Sequence, residues 1–161
     1  MFGHLWKVTC HLLIAVESDL PLAYCWGTLN SHSSVLEVQP GYRGRGIGRE
    51  MVAFMLMVSV KNRNPLLEIQ CAPETSAVFW ESMGFTTYTI CYKVYGRRVL
   101  DMPRQLPDGD PISVKISFFP SYFSGVPGEE PLAVQNLLAV EIPGTKRLML
   151  SRIVAHYYQP D

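Results

Sequence analysis

The chain has 161 residues, of which 48% are hydrophobic and 17% are charged. This composition supplies enough apolar material for a core and excludes wholesale disorder. The length suits one domain, with or without an appendage, and excludes two full domains. Fourteen Lys and Arg balance fourteen Asp and Glu. Because a chain of zero formal charge has no general attraction for polyanions, nucleic acid is disfavoured as a partner.

The cysteines indicate a reduced protein. They are Cys10, Cys25, Cys71 and Cys91. Each lies in an apolar run, which is typical of small buried thiols, and no Cys-x-x-Cys pair or nearby His predicts a metal site. The apolar stretch 8–16 is too short to span a membrane and lacks the flanks of a signal peptide. We therefore expect a cytoplasmic protein with no membrane partner.

Three short apolar runs separated by turn residues open the chain. They occupy residues 12–16, 22–29 and 35–38. Runs of this length with tight connections predict three strands of an antiparallel meander.

A helix is predicted over residues 48–61. It follows Gly44, Gly46 and Gly48, and no Gly or Pro interrupts it before Pro65. Its apolar residues recur at helical spacing, at Met51, Val52, Met55, Leu56 and Val58. Phe54 and Met57 widen this surface, so we expect the helix to be largely buried.

Three further elements are predicted before residue 96. They are a strand at 66–71, a helix that opens at Pro73 and ends at a left-handed cap on Gly84, and a strand at 85–95. Gly96, Arg97 and Arg98 are then interpreted as a turn into a short strand at 99–102.

The composition changes after residue 103, because seven of the twelve prolines lie beyond residue 104 and no helical period continues. Strands are predicted at 112–119, 132–142 and 147–158, the last two joined by a hairpin turn at 143–146. We predict two parts, a domain at 1–106 and a β-rich C-terminal extension at 107–161.

The most informative motif is the glycine-rich loop at residues 41–49, between a predicted strand and the first helix. Glycines let a ligand approach the backbone amides closely. The first amides of a helix have no internal partner and lie at the positive end of its dipole. Arg43, Arg45 and Arg49 add local positive charge to a neutral chain. The combination predicts a site for a phosphate or pyrophosphate group.

Two other phosphate-binding loops match less well. The nucleoside triphosphate loop ends in Gly-Lys-Ser or Gly-Lys-Thr, whereas Gly48 is followed by Arg49. The dinucleotide fingerprint requires Gly-x-Gly-x-x-Gly, and the third residue after Gly46 is Arg49. Glu68, twenty residues after Gly48, stands where a ribose-binding acid is found in that fold. A dinucleotide-binding loop therefore stays open as a lesser alternative.

The pattern Arg43-x-x-Gly46-x-Gly48, after a strand ending Val38-Gln-Pro, resembles the acetyl-CoA pyrophosphate loop of the Gcn5-related N-acetyltransferases. Residues 67–85, which end Phe-Trp-Glu-Ser-Met-Gly-Phe, resemble the later strand–helix unit of that family, and residues 98–106 resemble its last core strand. The resemblance covers residues 12–106. It implies an α/β (α+β) acyl-CoA N-acyltransferase-like fold, a mixed and mostly antiparallel sheet flanked by helices, shortened at its N-terminus. It also implies acetyl-CoA as co-substrate.

The resemblance also implies which residues bind the cofactor. Backbone groups of Leu36 and Val38 would pair with the pantetheine arm, and Phe79 would lie near the thioester. The pyrophosphate would be held by backbone amides of the loop, at Arg43, Gly44, Arg45, Gly46, Ile47, Gly48 and Arg49.

Two catalytic positions follow from the same resemblance. Glu68 matches a general base of some members, and a base is needed because an amine is protonated at neutral pH. The alternative for Glu68 is a structural carboxylate paired with an arginine. Trp80 stands where many members have a Tyr that protonates the leaving thiolate. An indole has no titratable proton, so Trp80 cannot do this, and Tyr88 or Tyr92 could substitute.

The family's usual first strand and two helices, which build much of the acceptor wall, have no predicted counterpart before Leu12. Either a second copy, a partner protein or the C-terminal extension would then complete the wall, or the acceptor site is unusually open. We predict an N-acetyltransferase that moves an acetyl group from acetyl-CoA to a small-molecule or protein amine by direct attack. The alternative is a non-catalytic acyl-CoA-binding protein that regulates a partner protein.

Overall fold

The computed structural model describes residues 5–9, 12–27, 29, 34–119 and 130–156. The chain divides into two compact units, Met1–Leu100 and Asp101–Asp161, which we call the N-terminal and C-terminal units. The division falls after Leu100, whereas the sequence pattern places it after residue 106. No helix within the described part of the chain is long and apolar enough to cross a membrane.

Four antiparallel strands form the first sheet of the N-terminal unit. They are β1 (Leu5–Thr9), β2 (Leu12–Glu17), β3 (Leu20–Trp26) and β4 (Val35–Val38), in the order β1-β2-β3-β4. The predicted meander is confirmed as β2, β3 and β4. The expectation that no strand precedes Leu12 is wrong, because β1 pairs with β2 along its whole length. A five-residue segment of mixed polarity carries too little alternation to be recognised without its partner strand.

Helix α1 (Ile47–Lys61) packs on β2, β3 and β4. It buries Met51, Val52 and Met55. Met57 is 64% exposed and Val60 51% exposed, so the helix is amphipathic and the expectation that it is largely buried is wrong. Its start at Ile47 agrees with the predicted start to within one residue.

Three strands form the second sheet of the N-terminal unit, in the order β5-β7-β6. They are β5 (Leu66–Gln70), β6 (Thr86–Ile90) and β7 (Lys93–Val99). Between β5 and β6 lies the short helix α2 (Ala77–Ser82), preceded by a turn of 3-10 helix at Glu74–Ser76. The predicted cap at Gly84 is confirmed, since Gly84 has φ +79° and Phe85 N–H donates to Trp80 O at 3.1 Å.

The predicted turn at Gly96-Arg97-Arg98 is wrong. The β6–β7 turn lies at Cys91 and Tyr92, both with positive φ (47° and 63°), as a two-residue hairpin turn of this hand requires. Gly96 lies inside β7, where a Cβ would approach Ile69 Cδ1 to 3.0 Å. A glycine in a strand often marks such a close approach, and here it reflects packing between β5 and β7.

The C-terminal unit is built from β8 (Met102–Pro103), β9 (Ile112–Phe118), β10 (Ala133–Glu141), β11 (Leu148–Leu150) and β12 (Arg152–Ile153). Strands β9, β10 and β11 form one antiparallel sheet, and β12 pairs with β8. The predicted hairpin turn at 143–146 is confirmed, because Thr145 N–H donates to Ile142 O at 3.0 Å. The predicted strand at 147–158 is interrupted after Leu150, where the chain leaves β10 to pair with β8. The end of this predicted strand, 157–158, lies outside the described residues.

The cysteines differ in burial, which gives a chemical test of the packing. Cys25 on β3 is buried, and burial raises its pKa to about 11, whereas Cys91 lies exposed in the β6–β7 turn. Because the thiolate is the reactive form, we expect a thiol reagent at pH 8 to modify Cys91 long before Cys25, as followed by peptide mapping. Both should react in denaturant. Equal rates for the two in the native protein would contradict the packing of β3.

Candidate functional site

A cleft of about 670 Å³ opens at the N-terminus of α1. Its walls are β4, the glycine-rich loop, the first turn of α1 and the segment that leads into α2. Among the residues named for the cofactor by the sequence, all but Arg45 line this cleft, including Phe79 of α2. The structure therefore brings together residues separated by more than thirty positions in the sequence.

One wall of the cleft is the open edge of β4, which is the last strand of its sheet. Gln39 N–H donates to Leu22 O at 2.9 Å. In an antiparallel ladder alternate residues direct their backbone groups to and away from the partner strand, so those of Leu36 and Val38 point away from β3. The Val38 carbonyl accepts a hydrogen bond from Arg43 Nε at 2.9 Å. The remaining groups of Leu36 and Val38 form an edge with which an extended ligand can pair.

Strand β5 likewise lies at the edge of its own sheet. Cys71 N–H donates to Val94 O at 2.8 Å, and the same alternation directs the backbone groups of Glu68 and Gln70 away from β7. Glu68 N–H donates to Leu29 O at 2.7 Å. Within the described residues no ladder joins β4 to β5, so these two strands belong to separate sheets.

The glycine-rich loop leads the chain into α1. Gly44 and Gly46 have φ of +75° and +87°, and nothing lies within 4 Å of a Cβ built at either position. No side chain caps the helix at Gly46. By helix geometry the first amides, those of Gly46, Ile47, Gly48 and Arg49, have no acceptor inside the helix. All four residues line the cleft, so this end of the helix can bind an anion.

The three arginines of the loop are each held by a neighbour. Arg43 bonds to the Val38 carbonyl, and the Arg45 guanidinium lies 4.9 Å from the centre of the Tyr42 ring. Arg49 Nη2 lies 3.5 Å from Ser82 Oγ at the end of α2. Arg43 and Arg49 line the cleft, as Tyr42 does, and Arg45 does not. Two of the three arginines thus add positive charge to the cleft.

Glu68 is held by two donors on the same oxygen. Tyr88 Oη donates to Glu68 Oε1 at 2.8 Å, and Arg97 Nε donates to it at 2.5 Å. The side chains of Arg97 and Glu68 are 14% and 22% exposed. Burial, and then the hydrogen bond to Glu68, raise the pKa of Tyr88, so its phenol stays protonated. Glu68 does not line the cleft. Its cross-strand partner is Arg97, for which the sequence predicts a place in a turn.

Trp80 is a core residue of α2. It is 6% exposed and packs edge-on against Phe79 and Phe85, with ring centres 5.2 Å apart in each pair. It does not line the cleft, unlike Phe79 beside it. Tyr92, a possible substitute acid, is 95% exposed in the β6–β7 turn.

A tyrosine at position 80 is therefore expected to lower the melting temperature without raising any transfer rate. Trp80→Tyr places a phenolic hydroxyl among Phe79 and Phe85, and an unpaired buried hydroxyl costs about 1–3 kcal/mol. Thermal melting and steady-state rates check this, with Val78→Ala as a control because Val78 is 73% exposed on the same helix. Faster transfer by the Trp80→Tyr variant would show that position 80 reaches the reacting atoms.

Sequence reasoning missed several residues of the cleft. Tyr42, Glu37 and Ser76 line it, and none was singled out from the sequence. The signal for Glu37 was present, because it stands between Leu36 and Val38 in the strand expected to bind the cofactor. Within the described residues no group of His, Cys, Asp and Glu side chains is placed to hold a metal ion.

Comparisons with known proteins identify a matching family model and similar solved structures. Residues 9–87 match the family model described as an acetyltransferase (GNAT) domain. Among solved structures the chain is similar to one described as "GCN5-Related N-acetyltransferase: Aminotransferase, Class-II" from Rhodopseudomonas palustris, at 19% sequence identity and a TM-score of 0.46. That similarity covers 55% of this chain and 61% of the other. The comparison with curated proteins gives no match.

The family match spans the first sheet from β2 onwards, the glycine-rich loop, α1, β5 and α2, and it includes every residue that lines the cleft. Residues 9–87 form a domain of the Gcn5-related N-acetyltransferase (GNAT) superfamily.

Proposed function

We propose that the N-terminal unit binds acetyl-CoA in the cleft and moves its acetyl group to an amine. The observation that supports this proposal is that one cleft is lined both by the first amides of α1 and by the backbone edge of β4. The amides at the start of α1 suit the diphosphate of coenzyme A. The edge of β4 suits the two amide groups of its pantetheine arm, which can pair as a strand does.

The proposed reaction is a direct transfer. The amine nitrogen attacks the thioester carbonyl, a C–N bond forms, the C–S bond breaks, and the nitrogen loses a proton. We assign removal of that proton to Glu68. A thiol has a pKa of about 8.5, so the sulfur can leave as the anion and no acid at Trp80 is required. Holding the thioester and the amine together supplies much of the rate.

A second candidate function is acyl-CoA binding without catalysis, to regulate a partner protein. Two observations favour it. Glu68 Oε1 already accepts hydrogen bonds from Tyr88 and Arg97, and Trp80 is buried away from the cleft. Under this alternative the cleft binds the same ligand, and the Glu68–Arg97 pair only stabilises the second sheet.

Release of free thiol from acetyl-CoA separates the two candidates. The purified protein is incubated with primary amines, polyamines, amino acids or lysine peptides, and coenzyme A binding is measured in parallel by calorimetry. Amine-dependent thiol release, with the acetylated amine identified by mass spectrometry, supports the transferase. Binding without turnover on any acceptor supports the regulatory alternative. Absence of binding contradicts both.

A further inference from the structure

The first sheet has one face packed on α1 and an opposite face with exposed aromatic and apolar side chains. Alternation along β3 and β4 puts Tyr24, Trp26, Val35 and Glu37 on this second face, because Cys25 between the first two is fully buried. Trp26 pairs with Val35 across the strands, and Tyr24 pairs with Glu37. We call these four residues the aromatic–acid patch.

The patch is unusually exposed for its composition. Trp26 is 49% exposed, Val35 44% and Tyr24 40%. Tyr24 Oη donates to Glu37 Oε2 at 3.1 Å, and this hydrogen bond raises the pKa of Tyr24. Adjoining exposed apolar side chains commonly mark a binding site, and the carboxylate gives this one a defined charge.

The patch is continuous with the cleft. Val35 and Glu37 line both, and Glu37 is the only carboxylate among the described residues that line the cleft. The glycine-rich loop follows the Val38 end of β4, so a ligand that pairs with β4 from the loop runs back toward Val35. The strand from Val38 to Val35 is about 10 Å long, at 3.3 Å per residue. Trp26 lies opposite Val35, at the end of β4 far from the loop.

We propose that the aromatic–acid patch binds the acceptor, and that the acceptor is a primary amine with an apolar body; this rests on the proposed function. The carboxylate of Glu37 attracts the ammonium group as it enters. The rings of Trp26 and Tyr24 attract a cation and, with Val35, contact an apolar body. An acceptor with a carboxylate beside its amine places like charge next to Glu37 and is excluded.

Three acceptors separate the charge from the apolar body. We expect kcat/KM for 2-phenylethylamine to exceed by at least tenfold that for phenylalanine, which adds a carboxylate, and that for methylamine, which lacks the ring. Glu37→Gln should raise KM for 2-phenylethylamine roughly three- to fivefold, the range of an exposed ion pair. It should also reduce the difference in kcat/KM between 2-phenylethylamine and phenylalanine. Trp26→Ala should raise the KM for 2-phenylethylamine roughly tenfold and raise the KM for methylamine by less, because methylamine has no apolar body to contact the ring.

Glu17→Gln and Leu20→Ala are matched controls, because both residues are exposed on the same sheet and do not line the cleft. The inference is overturned if Glu37→Gln and Trp26→Ala behave like these controls, or if phenylalanine or a lysine peptide is the better acceptor. If no acceptor is turned over, calorimetry of 2-phenylethylamine into the coenzyme A complex decides. Binding that both variants weaken supports the patch while the proposed catalysis fails, and no heat in the wild-type protein overturns the patch.

Discussion

Gly48→Ala is expected to weaken coenzyme A binding about tenfold or more while leaving the melting temperature equal or higher. A Cβ at Gly48 would lie 3.5 Å from Phe79 Cζ and 3.6 Å from Val38 Cγ2, which are ordinary contact distances, so the fold accepts it. Alanine also stabilises a helix by roughly 0.5–1 kcal/mol relative to glycine. The methyl group, however, lies between Phe79 and Val38, beside the helix amides. A phosphate must approach these amides closely, so the methyl group hinders its binding. Loss of one charged hydrogen bond of about 1.5–3 kcal/mol accounts for the change in affinity.

Calorimetry with coenzyme A and thermal melting of the same preparations check this prediction. Gly41→Ala is the matched control, because a Cβ at Gly41 meets nothing within 4 Å and Gly41 does not line the cleft. The control should bind as the wild type does. Wild-type affinity in Gly48→Ala would show that the ligand does not approach the start of α1.

Glu68→Gln is expected to lower kcat about a hundredfold or more, the range of a lost general base, with the coenzyme A affinity unchanged. The affinity should hold because Glu68 does not line the cleft. The substitution also leaves Arg97 without its carboxylate. Because both side chains are largely buried, we expect a loss of about 1–3 kcal/mol in the free energy of unfolding, and rates should be measured well below the melting temperature.

Arg97→Gln is the control that separates catalysis from structure. It breaks the same ion pair and keeps the carboxylate. If Glu68 is the base, Arg97→Gln loses stability as Glu68→Gln does but retains much more activity. Equal rates and equal stabilities for the two variants would place Glu68 in the structural role and favour the regulatory alternative.

The parts of the fold that sequence predicts well are those with local signals. The glycine-free run after Gly48 defines α1 at both ends, and Gly84 ends α2 because the left-handed region favours glycine. The β6–β7 turn was missed because Cys91 and Tyr92 seldom adopt positive φ. The sequence favours a turn at Gly96. The structure instead favours a glycine there because Ile69, on another strand, leaves little room for a side chain, and no local pattern shows this contact.

The candidate site likewise has parts that local sequence predicts and parts that depend on contacts between distant residues. The anion-binding loop is predictable because its chemistry is that of a short stretch of backbone. The surroundings of Glu68 are not, because its partners Tyr88 and Arg97 lie twenty and twenty-nine residues away and meet it only through strand register. The hydrogen bond from Tyr24 to Glu37 is not predictable for the same reason, since Tyr24 comes from the preceding strand.

Calorimetric titration of coenzyme A into the wild-type protein tests most directly whether the cleft at the start of α1 binds this ligand. We predict saturable heat for one site, weaker binding at higher salt, a clear loss of affinity in Arg43→Gln, which removes a charge that lines the cleft, and a smaller loss in Arg45→Gln, whose charge lies outside the lining. No heat with coenzyme A in the wild-type protein, together with no effect of either arginine variant, would contradict the assignment of the cleft.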